Sequence, residues 1–347
     1  MTDGPTSPTA VSSVALAAPG VAPVDLRPLT TSELIDRGFA LYRAHFAGFL
    51  LLALLCQTAP LLAQLLLTAL NLNPTQEELT NDLMVNPGHF FDKVGLIMVI
   101  VVTAQLVVFA FEVVIAFYIS DAYLGKIPSV KESLGKLTSC IWPSVWTCLL
   151  NRVMIALTMI FPVVAATAIY FYSQVYMPED FLPLLCFGLG AGSLLVASLA
   201  PVLVVFMRLM VTVPALAIER LSGWKAIQRS SLLVRYDPGL GFLYWGEMRL
   251  SFLLLPLFII ELLILSLTAL PLFVHEFGEV VRHGSAGGSL TSPPDAVTIA
   301  SQILMFLAGS LILPLYSIAT TLFYYDIRIR REGFDLEYMS SQMGEHK

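Results

Sequence analysis

Residues 250–273 read LSFLLLPLFIIELLILSLTALPLF (Leu250–Phe273). A helix crossing about 30 Å of hydrocarbon needs about 20 apolar residues. This stretch supplies them with a single ionisable side chain, Glu261. Working outward, five more stretches meet the same condition: Ala47–Leu70, Val94–Ser120, Val145–Tyr172, Phe181–Val213 and Val297–Phe323. Of the 347 residues, 57% are hydrophobic and 13% charged, against about 25% charged in a soluble domain. The mean hydropathy is +0.79. The expected fold is all-α, a polytopic membrane helix bundle of about six transmembrane helices with amphipathic helices on the cytoplasmic face.

The fourth stretch is too long for one crossing. Its apolar character runs on through Val211, Val213, Pro214, Leu216 and Ile218 to Glu219. Either that helix projects past the bilayer, or its start lies partly outside. The glycines at that start, Gly188, Gly190 and Gly192, read as a site of close helix packing.

Orientation follows from Lys and Arg, which favour the cytoplasmic side. If the six stretches cross in turn, 17 of the 19 basic residues fall on the side of the chain ends, and Lys93 and Arg282 on the other. Both termini are therefore expected in the cytoplasm, in a bacterial inner membrane. Residues 1–29 are rich in Pro, Ala, Thr, Ser and Val, and their apolar run is broken by Pro8, Pro19, Gly20 and Pro23. They read as a disordered, uncleaved tail. Residues 30–337 form the membrane domain and 338–347 a second tail. The far-side loop at 71–93 is acidic, and the one at 275–296 is Gly/Ser-rich.

Two cytoplasmic segments have helical signatures. Thr30 and Glu33 fit a capping box, after which Ile35, Phe39, Tyr42, Phe46 and Phe49 recur at helical spacing. That pattern predicts an amphipathic helix lying on the inner membrane face. A second helix is predicted from Ser222-Gly223-Trp224, with Lys225, Gln228, Arg229 and Arg235 on one arc, interrupted by Leu232.

Three motifs carry a family resemblance. They are the lead-in Leu29-Thr30-Thr31-Ser32-Glu33-Leu34-Ile35-Asp36-Arg37-Gly38-Phe39, the middle Pro214–Glu219 with Ala226-Ile227-Gln228-Arg229-Ser230, and the end Tyr324–Leu336. Together these resemble the membrane domain of the glycerophosphoryl diester phosphodiesterase type, which also occurs as stand-alone bacterial multi-pass proteins of unknown function. The resemblance covers roughly Leu26 to Glu337. It departs at Ser231, where the family has Trp, and at Asp237-Pro238-Gly239-Leu240-Gly241, which replaces a Gly-aromatic-Trp stretch. The resemblance does not carry phosphodiesterase activity. That chemistry belongs to a separate soluble barrel of about 250 residues, whose His/Glu motifs are not found here.

No sequence signature of a nucleophile elbow, phosphate loop, zinc site or H-E-x-x-H motif is present. The chain is expected to be no enzyme and to need no cofactor. Cys56, Cys148 and Cys186 read as small buried hydrophobes. Ionisable residues within the bilayer carry more information, because a central charge costs about 2.5–3.5 kcal/mol unless paired. Glu112, Arg152 and Arg208 fall at similar depth on three spans. They read as interfacial and snorkelling, as a structural ion pair of Glu112 with one arginine, or as a transport site. Glu261 has no base at its depth. It reads as a protonated carboxyl hydrogen-bonded to a glutamine, Gln105 or Gln64, with a proton- or ligand-handling site as the alternative.

A third cluster lies at the cytoplasmic end. Mixed charge there, in Asp326, Arg328, Arg330, Glu332 and Asp335, suggests docking onto other protein groups, either the basic segment Lys225–Arg235 or the lead-in helix with Glu33 and Asp36; Glu219 and Arg229 are counted among the candidate docking residues. The leading expectation is a non-catalytic scaffold or accessory subunit of a membrane process. The alternative is a transporter or a lipid- or small-solute-binding protein. The lipid bilayer is the expected partner, another membrane or cytoplasmic protein a further one, and nucleic acid none.

Overall fold

The computed structural model describes residues 27–70, 72, 85–176, 181–235, 246–283, 295–334 and 336. The expectations about the N-terminal tail before residue 27, the acidic centre of the first far-side loop, the Gly/Ser-rich loop, 237–241, Asp335 and 338–347 lie outside the described residues. The helices are α1 (Thr31–Ala44), α2 (Phe46–Ala69), α3 (Pro87–Tyr123), α4 (Val130–Thr138), α5 (Ile141–Tyr176), α6 (Phe181–Leu209), α7 (Thr212–Glu219), α8 (Trp224–Val234), α9 (Gly246–His283) and α10 (Asp295–Glu332). Among the described residues there is no strand.

Among the described residues, six segments are long and apolar enough to cross a membrane: Phe46–Ala69, Pro87–Tyr123, Ile141–Tyr172, Phe187–Glu219, Gly246–Pro271 and Val297–Glu332. Their outward faces are apolar. In the most apolar window of Ile141–Tyr172, only 6% is buried inside the chain. Apolar surface on that scale needs lipid rather than water against it. An even number of crossings puts the start of α1 and the end of α10 on one side, called here the terminal side.

Local sequence explains the helix limits. Thr30 and Glu33 form the predicted capping box at α1. The overlong fourth stretch is not one helix. It breaks at Met210 and Val211 into α6 and the short buried α7. Pro214 has no N–H for the Met210 carbonyl, and its ring would clash there in a continuous helix. Gly223 enters α8 at φ 56°, against the Trp146 indole. α8 then buries Ala226, Ile227, Ser230, Leu233 and Val234, and Leu232, the residue that interrupted its polar arc, is exposed. α10 ends at Gly333, φ 63°. Phe334 turns back beside Tyr325, with ring centroids 5.6 Å apart, while Leu336 stays exposed.

α1 also packs against the bundle. It runs antiparallel along α10, with Leu29 at Asp326, Gly38 at Ile318 and Leu322, and the Tyr42 hydroxyl on the Leu311 carbonyl. Its buried residues are Leu34 and Gly38, while Phe39 faces outward. One expectation is corrected: the Gly188, Gly190 and Gly192 row is not a close-packing site. A Cβ added at any of the three meets no described atom within 4 Å. That part of α6 lies away from the bundle centre.

α10 is the hub. It packs against α9, α2, α1, α3, α7 and α8. The main core, including Phe49, Leu52, Ile119, Leu250, Leu253, Leu322, Tyr324 and Tyr325, gathers around its terminal half. Toward the far side, space opens between α2, α9 and α10.

Candidate functional site

α2 and α9 each pack along α10, and the space between all three is a groove of 630 Å³. Its lining on α10 runs from Thr298 to Tyr316, about 27 Å of helix at 1.5 Å per residue. That is close to the hydrocarbon thickness of about 30 Å. Pro60 of α2 is among the lining residues, and Pro314 of α10 lies between two of them, Leu313 and Tyr316. Each removes a helix N–H from its own ladder. The Gln57 side chain lies over Gly309. A Cβ there would stand 2.7 Å from the Gln57 Nε2, so the missing side chain lets the glutamine sit against α10.

The walls are mostly apolar, with polar groups at chosen depths. At the terminal end Tyr316 donates its hydroxyl to the Glu261 carboxylate at 2.6 Å. Farther along come Gln57 and Gln64 of α2, Thr268 of α9, and Thr298, Ser301 and Gln302 of α10. The Thr268 and Ser301 hydroxyls donate to carbonyls of their own helices, Leu265 and Thr298. The buried Oε1 of Gln302 has no hydrogen-bond partner among the described residues. Among the described lining residues there is no Lys, Arg or His.

The expected glutamine partner of Glu261 is therefore replaced by Tyr316. Gln64 shares the groove with Glu261, but Gln105 is elsewhere. It accepts from Arg152 at 2.6 Å and its carbonyl receives the Cys148 thiol. Arg152 is within electrostatic range of Glu112, but the two form no ion pair within 4 Å. Arg208 does not pair with Glu112 at all. It binds Glu247 at 2.7 Å, at the start of α9, a partner sitting in the first turn of span five that depth matching from sequence overlooked. Cys56 and Cys148 are buried.

The charged layer on the terminal side is assembled within the chain. The Asp326 carboxylate, with no exposed side-chain surface, accepts from the Leu29 N–H at 2.8 Å, from Arg249 at 2.8 Å and from Arg330 at 2.9 Å. Both arginines also donate to the Leu29 carbonyl. A second cluster joins α7, α8 and α10. Arg229 grips Glu219 with two nitrogens, at 2.9 Å each, and reaches Glu332 at 2.6 Å. The Tyr324 hydroxyl donates to Glu219, and Arg328 lies 3.1 Å from Glu332 and 3.6 Å from Glu219. Burial would lower the Arg229 pKa, but its hydrogen bonds to Glu219 and Glu332 outweigh that and hold it above its ordinary value. Arg331 caps α8 by donating to the Leu232 and Arg235 carbonyls. The described candidate docking residues Glu219, Arg229, Asp326, Arg328, Arg330 and Glu332 thus pair with one another or with the lead-in.

No family model, no curated protein and no solved structure matches this chain.

Proposed function

We propose that this chain is a multi-pass membrane protein that binds a small solute or a lipid-like molecule in the groove between α2, α9 and α10. The observation that carries this reading is the Glu261–Tyr316 pair on the wall of a 630 Å³ intramembrane space. Cavities of about 300–1,000 Å³ with apolar walls and a few placed polar groups are the usual form of small-molecule sites. An ionisable residue inside a membrane is by default a functional candidate. The reading is non-enzymatic, with the basic terminal side in the cytoplasm of a bacterial inner membrane. Kinship with the membrane domain of the glycerophosphoryl diester phosphodiesterase type is proposed alongside it, on the lead-in, Pro214–Glu219 and Tyr324–Leu336 motifs.

A scaffold or accessory role is the second reading. Internal pairing of the charged layer weakens it, and the exposed Trp224 and Leu232 of α8 favour it, at 50% and 59% exposure. Photo-crosslinking in native membranes separates the two. A benzophenone side chain at Met305, in the groove, is expected to give an adduct of small-molecule mass. A protein-sized adduct from Leu232, with none from Met305, overturns the binding reading in favour of the scaffold.

A further inference from the structure

Resting on the groove as a binding site, we propose that its occupant is an amphiphile whose polar end is a primary ammonium, seated at Glu261 with its hydrocarbon chain running along α10 toward Met305 and Phe306. Charge complementarity carries the first half. Glu261 carries the only acidic or basic side chain among the described lining residues. Its one hydrogen bond, from Tyr316 to Oε2, leaves most of the roughly four acceptor positions of a carboxylate open. A carboxylate held in hydrocarbon favours a cation beside it, and the described lining residues supply none, having no basic side chain among them. The same lack of bases among the described lining residues disfavours any occupant with a phosphate, sulfate or carboxylate at that end, because the anion would stand in hydrocarbon next to Glu261 without a counter-charge.

The donor count separates a primary ammonium from a quaternary one. An –NH₃⁺ group brings three donors to the open carboxylate positions. A quaternary ammonium brings none and is recognised instead by aromatic cages. Here Tyr316 and Phe306 are the aromatic lining residues, and they are separated by about 15 Å of helix. The second half follows from the walls beyond Glu261. Ile264 and Leu265 of α9 with Ile312 and Leu313 of α10 make a hydrocarbon track, along which a chain exchanges lipid contacts for protein contacts.

The test is competition for labelled dodecylamine bound to the purified full-length protein in detergent. Dodecyltrimethylammonium and dodecanol share its chain and lack its N–H donors or its charge. Dodecylamine is expected to bind at least about tenfold more tightly than either, a difference of about 1.4 kcal/mol. Glu261→Gln should abolish the preference, and Tyr316→Phe, which keeps the carboxylate, should retain it. Equal affinity for the three compounds in the wild-type protein overturns the inference without any variant, as does a preference that survives Glu261→Gln. Ethanolamine competing at equal concentration would overturn the need for a chain. Phosphatidylethanolamine displacing dodecylamine would overturn the exclusion of the phosphate. A native small molecule crosslinked at Met305, in a protein indifferent to dodecylamine, would leave groove binding standing and remove the ammonium alone.

Discussion

The carboxylate of Asp326 and the backbone N–H of Leu29, 297 positions apart in sequence, meet at 2.8 Å in a site closed to solvent. This bond fastens the entry of the first helix to the exit of the last. Arg249 draws the start of span five into the same knot. Breaking a buried pair by removing one partner costs about 3–5 kcal/mol, because the other charge is stranded. Asp326→Asn keeps the shape and removes the charge, leaving Arg249 and Arg330 without it. The thermal midpoint in detergent is expected to fall sharply. A midpoint equal to wild type would show that the arginines find other partners.

Two glycines should respond in opposite directions. A Cβ at Gly246 stands 2.6 Å from the Val234 carbonyl oxygen, and backbone cannot move aside as a flexible side chain can. Gly246→Ala should therefore be among the most destabilising changes at a small residue. Gly188 sits in a helix with open space around its Cβ direction. There Ala should be neutral or stabilising by about 0.5–1 kcal/mol, through helix propensity alone. Thermal midpoints of the two variants in the same detergent check the contrast.

Acid should loosen the lead-in. The Thr30 N–H, the Arg27 guanidinium and the Thr30 hydroxyl hold the Glu33 carboxyl at a pKa of about 2, against an ordinary 4.5. A depressed pKa means that the stabilisation is complete above 4.5 and is lost as pH falls from there through about 2. Glu33 is partly exposed and its partners lie within the lead-in, so the effect is confined to the first turn of α1. Hydrogen exchange at residues 31–35, corrected for the intrinsic rate, should rise over that window in the wild type and show no such step in Glu33→Gln.

Sidedness is checked by cysteine labelling from outside intact cells. Thr75→Cys and Ser289→Cys should label, while Lys131→Cys and Ser341→Cys should label only after the membrane is permeabilised. Lys131 is exposed on α4, whereas its neighbour Ser133 is fully buried and unsuited to a label. Labelling of Lys131→Cys in intact cells would invert the orientation.

The six crossings were legible because a run such as Leu250–Phe273 has few other uses. The capping box at Thr30 and Glu33, the start of α8 at Gly223 and the stop at Gly333 were also legible, since each depends on residues within one turn. Side-chain partners across the bundle were not. Depth along its helix pairs Glu261 with glutamines, but the angle around each helix decides who meets whom. That angle puts Tyr316 opposite Glu261 and sends Gln105 to Arg152. Depth likewise pairs Arg208 with Glu112, while Glu247 is the acid it meets in space. The groove itself has no sequence signature. It arises from the course of three helices, α2, α9 and α10.

The central claim, that the groove holds a molecule, is tested most directly by native mass spectrometry after mild purification from native membranes. Ser301 is buried in the groove wall, and Ser301→Trp should fill the space. Leu263, 65% exposed on the outward face of α9, carries the same substitution as a control. The wild type and Leu263→Trp are expected to retain about one small molecule per chain, and Ser301→Trp none. Equal retention in all three, or a wild-type chain that carries nothing, would contradict the account.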